Sequence, residues 1–219
     1  MSQIFHRSSN LAIRMAVISL GALAVATASG AVLAFWSPWV TAVNENVPQP
    51  VQFTHNHHTA GLGIDCRFCH FSVEQSSSAG IPPTKVCMNC HTQLWSDSEI
   101  LEPVRESWRT EKAIQWNKVH NLADFAYFNH SIHITKGIGC AECHGRIDKM
   151  PGIHQVNTLQ MRWCLECHTE PEKFVRPKEE VFNMAYEHPK DSAEHLEQGR
   201  QLVEAYNIHS KVSCSTCHR

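Results

Sequence analysis

Eight residues between Phe128 and His168 carry most of the chemistry this sequence advertises: His130 and His133, then Cys140, Cys143 and His144, then Cys164, Cys167 and His168. The last six form two C-x-x-C-H motifs, the attachment signature of c-type haem. Each cysteine can add its sulfur across one haem vinyl group, and the two-residue gap matches the spacing of the two vinyls. The histidine that follows at once is placed as the proximal iron ligand. Three further copies occur, at Cys66/Cys69/His70, Cys87/Cys90/His91 and Cys214/Cys217/His218. The ten cysteines of the chain are all used by these five motifs, which excludes a chance match or a lone redox or zinc motif. The chemistry they imply is five covalently attached haem c groups.

The elements that must hold these motifs are unusual in composition. Aromatic residues make up 8% of the 219, thin for a conventional core. Five haems would make up the deficit, because each macrocycle is a large apolar body the chain can wrap. Sixteen histidines leave eleven beyond the proximal set, a pool for the opposite face of each iron. A formal charge of −2 argues against nucleic acid as a partner.

Residues 1–40 read as a membrane anchor. Met15 to Trp36 is an uncharged run of 22 residues, about 33 Å long as a helix, enough to cross a bilayer. Arg7 and Arg14 precede it and no Lys or Arg follows until Arg67, so the N-terminus is expected inside a cytoplasmic membrane. The bulk of the chain is then on the periplasmic or outer face. Trp36 and Trp39 suit the outer interface, and Pro38 ends the helix. Ala26-Thr27-Ala28 resembles a signal-cleavage site, but the apolar run continues well past it, so retention is expected. Ala22, Ala26, Gly30 and Ala34 recur every four residues along the helix, a spacing compatible with a helix partner and also with ordinary alanine richness.

Residues 41–52, with Pro48 and Pro50, read as an extended linker. The haem domain is expected over 53–219. Phe53-Thr54-His55-Asn56-His57-His58 and Phe128-Asn129-His130-Ser131-Ile132-His133 share the pattern F-x-H-x-x-H, and each precedes a C-x-x-C-H by a similar distance. A unit of one such pattern and two haem motifs therefore occurs twice, over about 53–127 and 128–204. A partial third unit covers 205–219. Ser96-Asp97-Ser98-Glu99 fits a capping box with Trp95 and Ile100 as a staple, although Pro103 allows the helix to start there instead. Asp191 to Glu194 opens a helix expected to run to about Tyr206, with Leu196, Val203 and Tyr206 on one face. No period-two strand pattern extends beyond a few residues. The fold class expected is mainly α and irregular: one N-terminal transmembrane helix plus a multihaem c-type domain with little regular secondary structure.

The paired motifs resemble multihaem cytochromes of the c3/c7 type, in which the first histidine of F-x-H-x-x-H generally ligates the following haem and the second a different one. The whole arrangement is similar to the pentahaem cytochrome c subunit of alternative complex III. The likeness includes Ala79-Gly80-Ile81-Pro82-Pro83, Trp116-Asn117-Lys118-Val119-His120, Gly139 to Gly145, Met161 to His168 and Cys214 to Arg219. It implies a subunit that relays electrons within a membrane complex oxidising quinol. Its partners would be an iron–sulfur and molybdopterin-like subunit, quinol-binding membrane subunits, a monohaem cytochrome c and a downstream electron acceptor. No catalytic residue is expected in the isolated chain.

Distal ligands are expected among His55, His58, His120, His130 and His133. His120 is chosen for its place ahead of the second unit and for the family-like stretch around it. Met150, Met161 and His209 compete for one position. His6, His57, His154, His188 and His195 read as surface or packing histidines. Two other functions are weighed against electron relay. A haem reductase needs an open iron position, and the supply of histidines argues against one. A membrane-anchored quinol dehydrogenase of the NapC/NrfH type would bind quinol itself, and the paired F-x-H-x-x-H units fit that family less well.

Overall fold

The computed structural model describes residues 5–187 and 189–218. His188, read above as a surface histidine, lies outside them. Two compact units are present, Met1–Ala42 and Val43–Arg219.

In the first unit, Ser8–Phe35 is one continuous α-helix of 28 residues, about 42 Å long. None of its side chains is buried, so its apolar surface is open along the whole length. A short turn of helix, Pro38–Thr41, follows, with proline in its first turn.

The second unit is a set of short helices joined by long irregular segments. Its longer helices are Thr84–His91, Glu102–Thr110, Met161–Thr169 and Ala193–Ala205. Among the described residues, pairing of extended backbone is confined to three isolated bridges: Val43 with Gln155, Asn46 with His154, and Ile138 with Val175. The fold is mainly helical and irregular, as the lack of period-two patterning requires.

The capping box at Ser96 does not start an α-helix. A 3-10 turn at Glu99–Leu101 runs into the helix Glu102–Thr110, which has Pro103 in its first turn, where the missing N–H costs nothing. The later helix is capped by Ser192, whose hydroxyl accepts from the His195 N–H. Its inward face carries His195 and Gly199 besides the residues expected. A Cβ on Gly199 would lie 2.0 Å from the Glu172 carbonyl oxygen, so glycine is what lets this helix touch the turn Pro171–Lys173.

The segment before the first haem motif is extended, but it is docked rather than loose. Asn44 N–H donates to the Gln155 carbonyl, and Val51 is buried beside Met88, Leu101 and Val104. Further along, Gln49 and Asn117 exchange side-chain and backbone hydrogen bonds, and the Asn117 amide donates to the Pro48 carbonyl. The prolines keep this stretch extended, and its polar groups find partners across the chain.

Candidate haem-binding sites

Each C-x-x-C-H motif forms a helical turn: Cys66–Cys69, the end of Thr84–His91, Cys140–His144, the end of Met161–Thr169, and Cys214–Cys217. Residues three apart share one face of a helix, so each turn aims both sulfurs the same way. Asp65 caps the first of these turns, accepting from the Arg67 N–H.

The two F-x-H-x-x-H segments have nearly the same internal geometry although their backbones differ. The first lies on a π-helical turn, Asn56–Gly61, and the second on an α-helix, His130–Thr135. Phe53 meets His55 edge-on at 4.8 Å and stacks on His58 at 4.5 Å. Phe128 meets His130 edge-on at 4.8 Å and stacks on His133 at 4.4 Å. The phenylalanine of the motif is thus a wedge that fixes both imidazoles.

Across each unit the second histidine reaches the second motif. His58 lies 6.3 Å from His91, ring centre to ring centre, at 66°. His133 lies 6.1 Å from His168 at 67°. The first histidine lies by the nearer motif: His130 is 6.4 Å from His144. In the first unit the charges of His70 and His58 act on His55, whose Nδ1 is buried with no hydrogen-bond partner.

These separations test whether the residues fit haem. Two imidazoles on opposite faces of one iron, each bonded through a ring nitrogen at about 2 Å, have ring centres about 6.3 Å apart. Three pairs meet that requirement. A macrocycle on each motif would also cover apolar side chains that flank the motifs in exposed positions, among them Phe68, Phe71, Leu94, Ile132 and Met161. The residues fit the group.

Hydrogen bonds orient the same rings. Nδ1 of His58, His70, His91, His130, His133 and His218 meets the carbonyl of Thr54, Gly80, Leu94, Ser77, Asn129 and Phe125 respectively, at 2.7–3.0 Å. A carbonyl only accepts, so each bond places the proton on Nδ1 and leaves Nε2 bare, the tautomer a metal ligand needs. His144 differs, because its Nδ1 lies 3.1 Å from Nε2 of His120. His195 is turned the other way, with Nε2 against the Lys173 carbonyl, as suits a packing residue.

Several contacts join the two sequence repeats. The loop 76–80 holds both His70, through Gly80, and His130, through Ser77. Gly80 does so at φ +76°, open to glycine without strain. The cysteines report the same neighbourhood. Burial pushes the Cys69 thiol up, and Cys87 and Cys90 nearby add to the effect. Burial and then Cys66 raise Cys140 to about 11, and burial and then Cys167 raise Cys143 to about 12. For Cys164 the cause after burial is Cys217. Ser210, just ahead of the last motif, donates to the carbonyl of His168.

Burial also keeps the imidazoles neutral. The His144 ring is held down to about 3, chiefly by burial and then by His120 and His130. His55 is held to about 4 by burial and by His70 and His58. Burial lowers His120 and His133 as well. Of the competing ligands, Met150 is buried, Met161 and His209 are exposed, and none of the ring contacts described here involves them.

Residues 126–219 match the family model for cytochrome c7 and related cytochrome c. This c7-type region holds the motifs at Cys140, Cys164 and Cys214 and the segment His130–His133, and the match describes it as a multihaem cytochrome domain. A stretch of 97 residues is 35% identical to the multiheme cytochrome c subunit of menaquinone reductase from Nitratidesulfovibrio vulgaris (strain Hildenborough). That alignment covers 44% of this chain and 45% of the relative, so the chain spans less than half of the curated protein it matches.

The motif spacing carries no sign of the support around these histidines. The loop 76–80 and the His120–His144 contact join segments far apart in the chain, and neither leaves a spacing signal.

Proposed function

We propose that this chain is the anchored electron-transfer subunit of a membrane quinol oxidoreductase complex of the alternative complex III type, carrying five covalent haem c groups. The observation that supports it most is the duplicated ligand geometry, His58 with His91 and His133 with His168, linked between units by loop 76–80. At the four motifs with a histidine opposite, haem c held between two imidazoles would supply a one-electron centre with no coordination position left for substrate. The ten cysteines attach the groups, and His70, His91, His144, His168 and His218 are their proximal ligands. On the opposite faces, His55 serves the first motif, His58 the second, His130 the third and His133 the fourth.

The sites run Cys87–His91, Cys66–His70, Cys140–His144, Cys164–His168, Cys214–His218. This order follows the neighbourhoods of Cys69, Cys140, Cys143 and Cys164, and it differs from chain order at its first step. The helix Ser8–Phe35 anchors the chain in the cytoplasmic membrane with the N-terminus inside, leaving the haem region on the outer face. The partners are an iron–sulfur and molybdopterin-like subunit, quinol-binding membrane subunits, a monohaem cytochrome c and a downstream acceptor.

A second reading reverses the direction, with electrons delivered through the chain to menaquinone. The relative from Nitratidesulfovibrio vulgaris, a menaquinone reductase subunit, favours it. The purified chain in detergent should be reduced promptly by dithionite but only slowly by a menaquinol analogue, and adding its membrane partners should make the second reaction fast. Fast quinol turnover by the isolated chain would overturn the relay reading in favour of a NapC/NrfH-type dehydrogenase. In the intact complex, comparing menaquinol oxidation with menaquinone reduction decides the direction.

A further inference from the structure

The proximal ligand of the third motif is held differently from its counterparts. At His70, His91 and His218 the ring Nδ1 meets a main-chain carbonyl, which no substitution of a side chain removes. At His144 the partner is the imidazole of His120, Nδ1 to Nε2 at 3.1 Å, with the rings at 75°. An iron-bonded imidazole that uses Nε2 carries its proton on Nδ1, so the bond runs from His144 to His120. The same contact takes His120 Nε2 out of use as an iron ligand, because that nitrogen is accepting a hydrogen bond.

The chain around His120 is built to hold it there. Three residues before it, Asn117 is fastened by the reciprocal pair with Gln49 and by the Pro48 carbonyl. One residue after it, the Asn121 N–H donates to Oε1 of Gln155, which is 3% exposed. Gln155 is itself fixed through its backbone to Asn44. Anchors on both sides of an irregular loop position a side chain that neither helix nor strand would place.

We infer that His120 is a positioning residue for His144, accepting its Nδ1 proton and setting the donor strength of that one iron ligand. The inference rests on the reading of His144 as a proximal ligand. An acceptor on Nδ1 makes the imidazole more basic and so favours ferric iron, which lowers the potential of that site relative to an unassisted ligand.

The test uses the holo chain with His120→Ala and His120→Gln. With alanine, the intact mass should still show every haem of the wild type, the reduced protein should bind no more carbon monoxide than the wild type does, and one component of the redox titration should move to higher potential. Glutamine keeps an acceptor and should return that component toward its wild-type position. Carbon monoxide binding beyond that of the wild type, or a new high-spin signal in the alanine variant, would overturn the inference, since it would make His120 an iron ligand. An unchanged titration would overturn it too, by showing that the contact has no effect on the iron. Failure of the underlying reading looks different, because the wild-type mass itself would then lack a haem on Cys140 and Cys143.

Discussion

His133 stands 6.1 Å from His168 with the ring planes at 67°, and the same relationship recurs in the other unit between His58 and His91 at 6.3 Å and 66°. Two sites built alike from residues about 75 positions apart must respond alike to the same change. Replacing His133 with Met should leave haem attached at Cys164 and Cys167 and raise the potential of that site. His58→Met should do the same for the site at Cys87 and Cys90. A redox titration of each variant checks this, and the component that moves should differ between them. If one and the same component moved in both, the pairing would be wrong.

Attachment has its own signature. The intact mass should carry five haems, and the double change Cys214→Ser with Cys217→Ser should remove one and only one. The last motif is the site to choose because Cys214 is exposed. A wild-type mass that fits four haems would remove one motif from the set.

Covalent attachment is a local affair, which is why it was legible. Two sulfurs must meet two vinyl groups, so Cys66/Cys69 and its four counterparts had to keep their spacing in the chain. The long apolar helix was legible for a similar reason, since Ser8–Phe35 satisfies its own backbone. The F-x-H-x-x-H repeat marked His55, His58, His130 and His133 as a set, but which motif each one reaches depends on how the units fold back. The His120 contact was not legible, because it joins a loop to a motif with nothing regular between them. His195, read as a surface or packing histidine, is buried, and the backbone carbonyl it meets at Lys173 leaves no signal in the sequence.

A buried ion pair should matter more here than any exposed one. Glu142 sits between the two cysteines of the third motif with its side chain 8% exposed, and it takes both the Arg176 guanidinium at 2.6 Å and the Lys190 ammonium at 2.7 Å. The Arg176 side chain is 1% exposed, and its Nε has no hydrogen-bond partner. Glu142→Gln strands that cation in the interior, at a cost of about 3–5 kcal/mol. Thermal unfolding of the holo protein should fall by several degrees. Glu197→Gln, which breaks an exposed pair with Arg200, should leave the midpoint where it was.

The contact between the helix Ala193–Ala205 and the turn Pro171–Lys173 depends on one missing methyl group. Gly199→Ala puts a carbon 2.0 Å from the Glu172 carbonyl oxygen, and main chain cannot swing aside as a side-chain tip can. The expected cost is about 1–3 kcal/mol, in the range of overpacked sites. Gly61→Ala serves as the comparison, since its nearest contact, the Asn56 carbonyl at 3.5 Å, is an ordinary one. Equal midpoints for the two variants would show that the helix can shift without loss.

The order of sites is the most exposed part of the relay reading, because it departs from chain order. Cys69 has Cys87 and Cys90 for neighbours, while Cys140 has Cys66 and Cys143 has Cys167. The first motif is therefore interior to the series and the second is at its end. The hydrogen bonds agree, since loop 76–80 ties His70 of the first motif to His130, the partner of the third. At the other end, Cys164 neighbours Cys217, and Ser210 bonds to the carbonyl of His168. Electron-microscopic density for the intact complex should show the irons on His91, His70, His144, His168 and His218 as successive nearest neighbours. An iron on His91 found nearer to His144 than to His70 would break the order. The site on His91 would then lose its place at the end of the series.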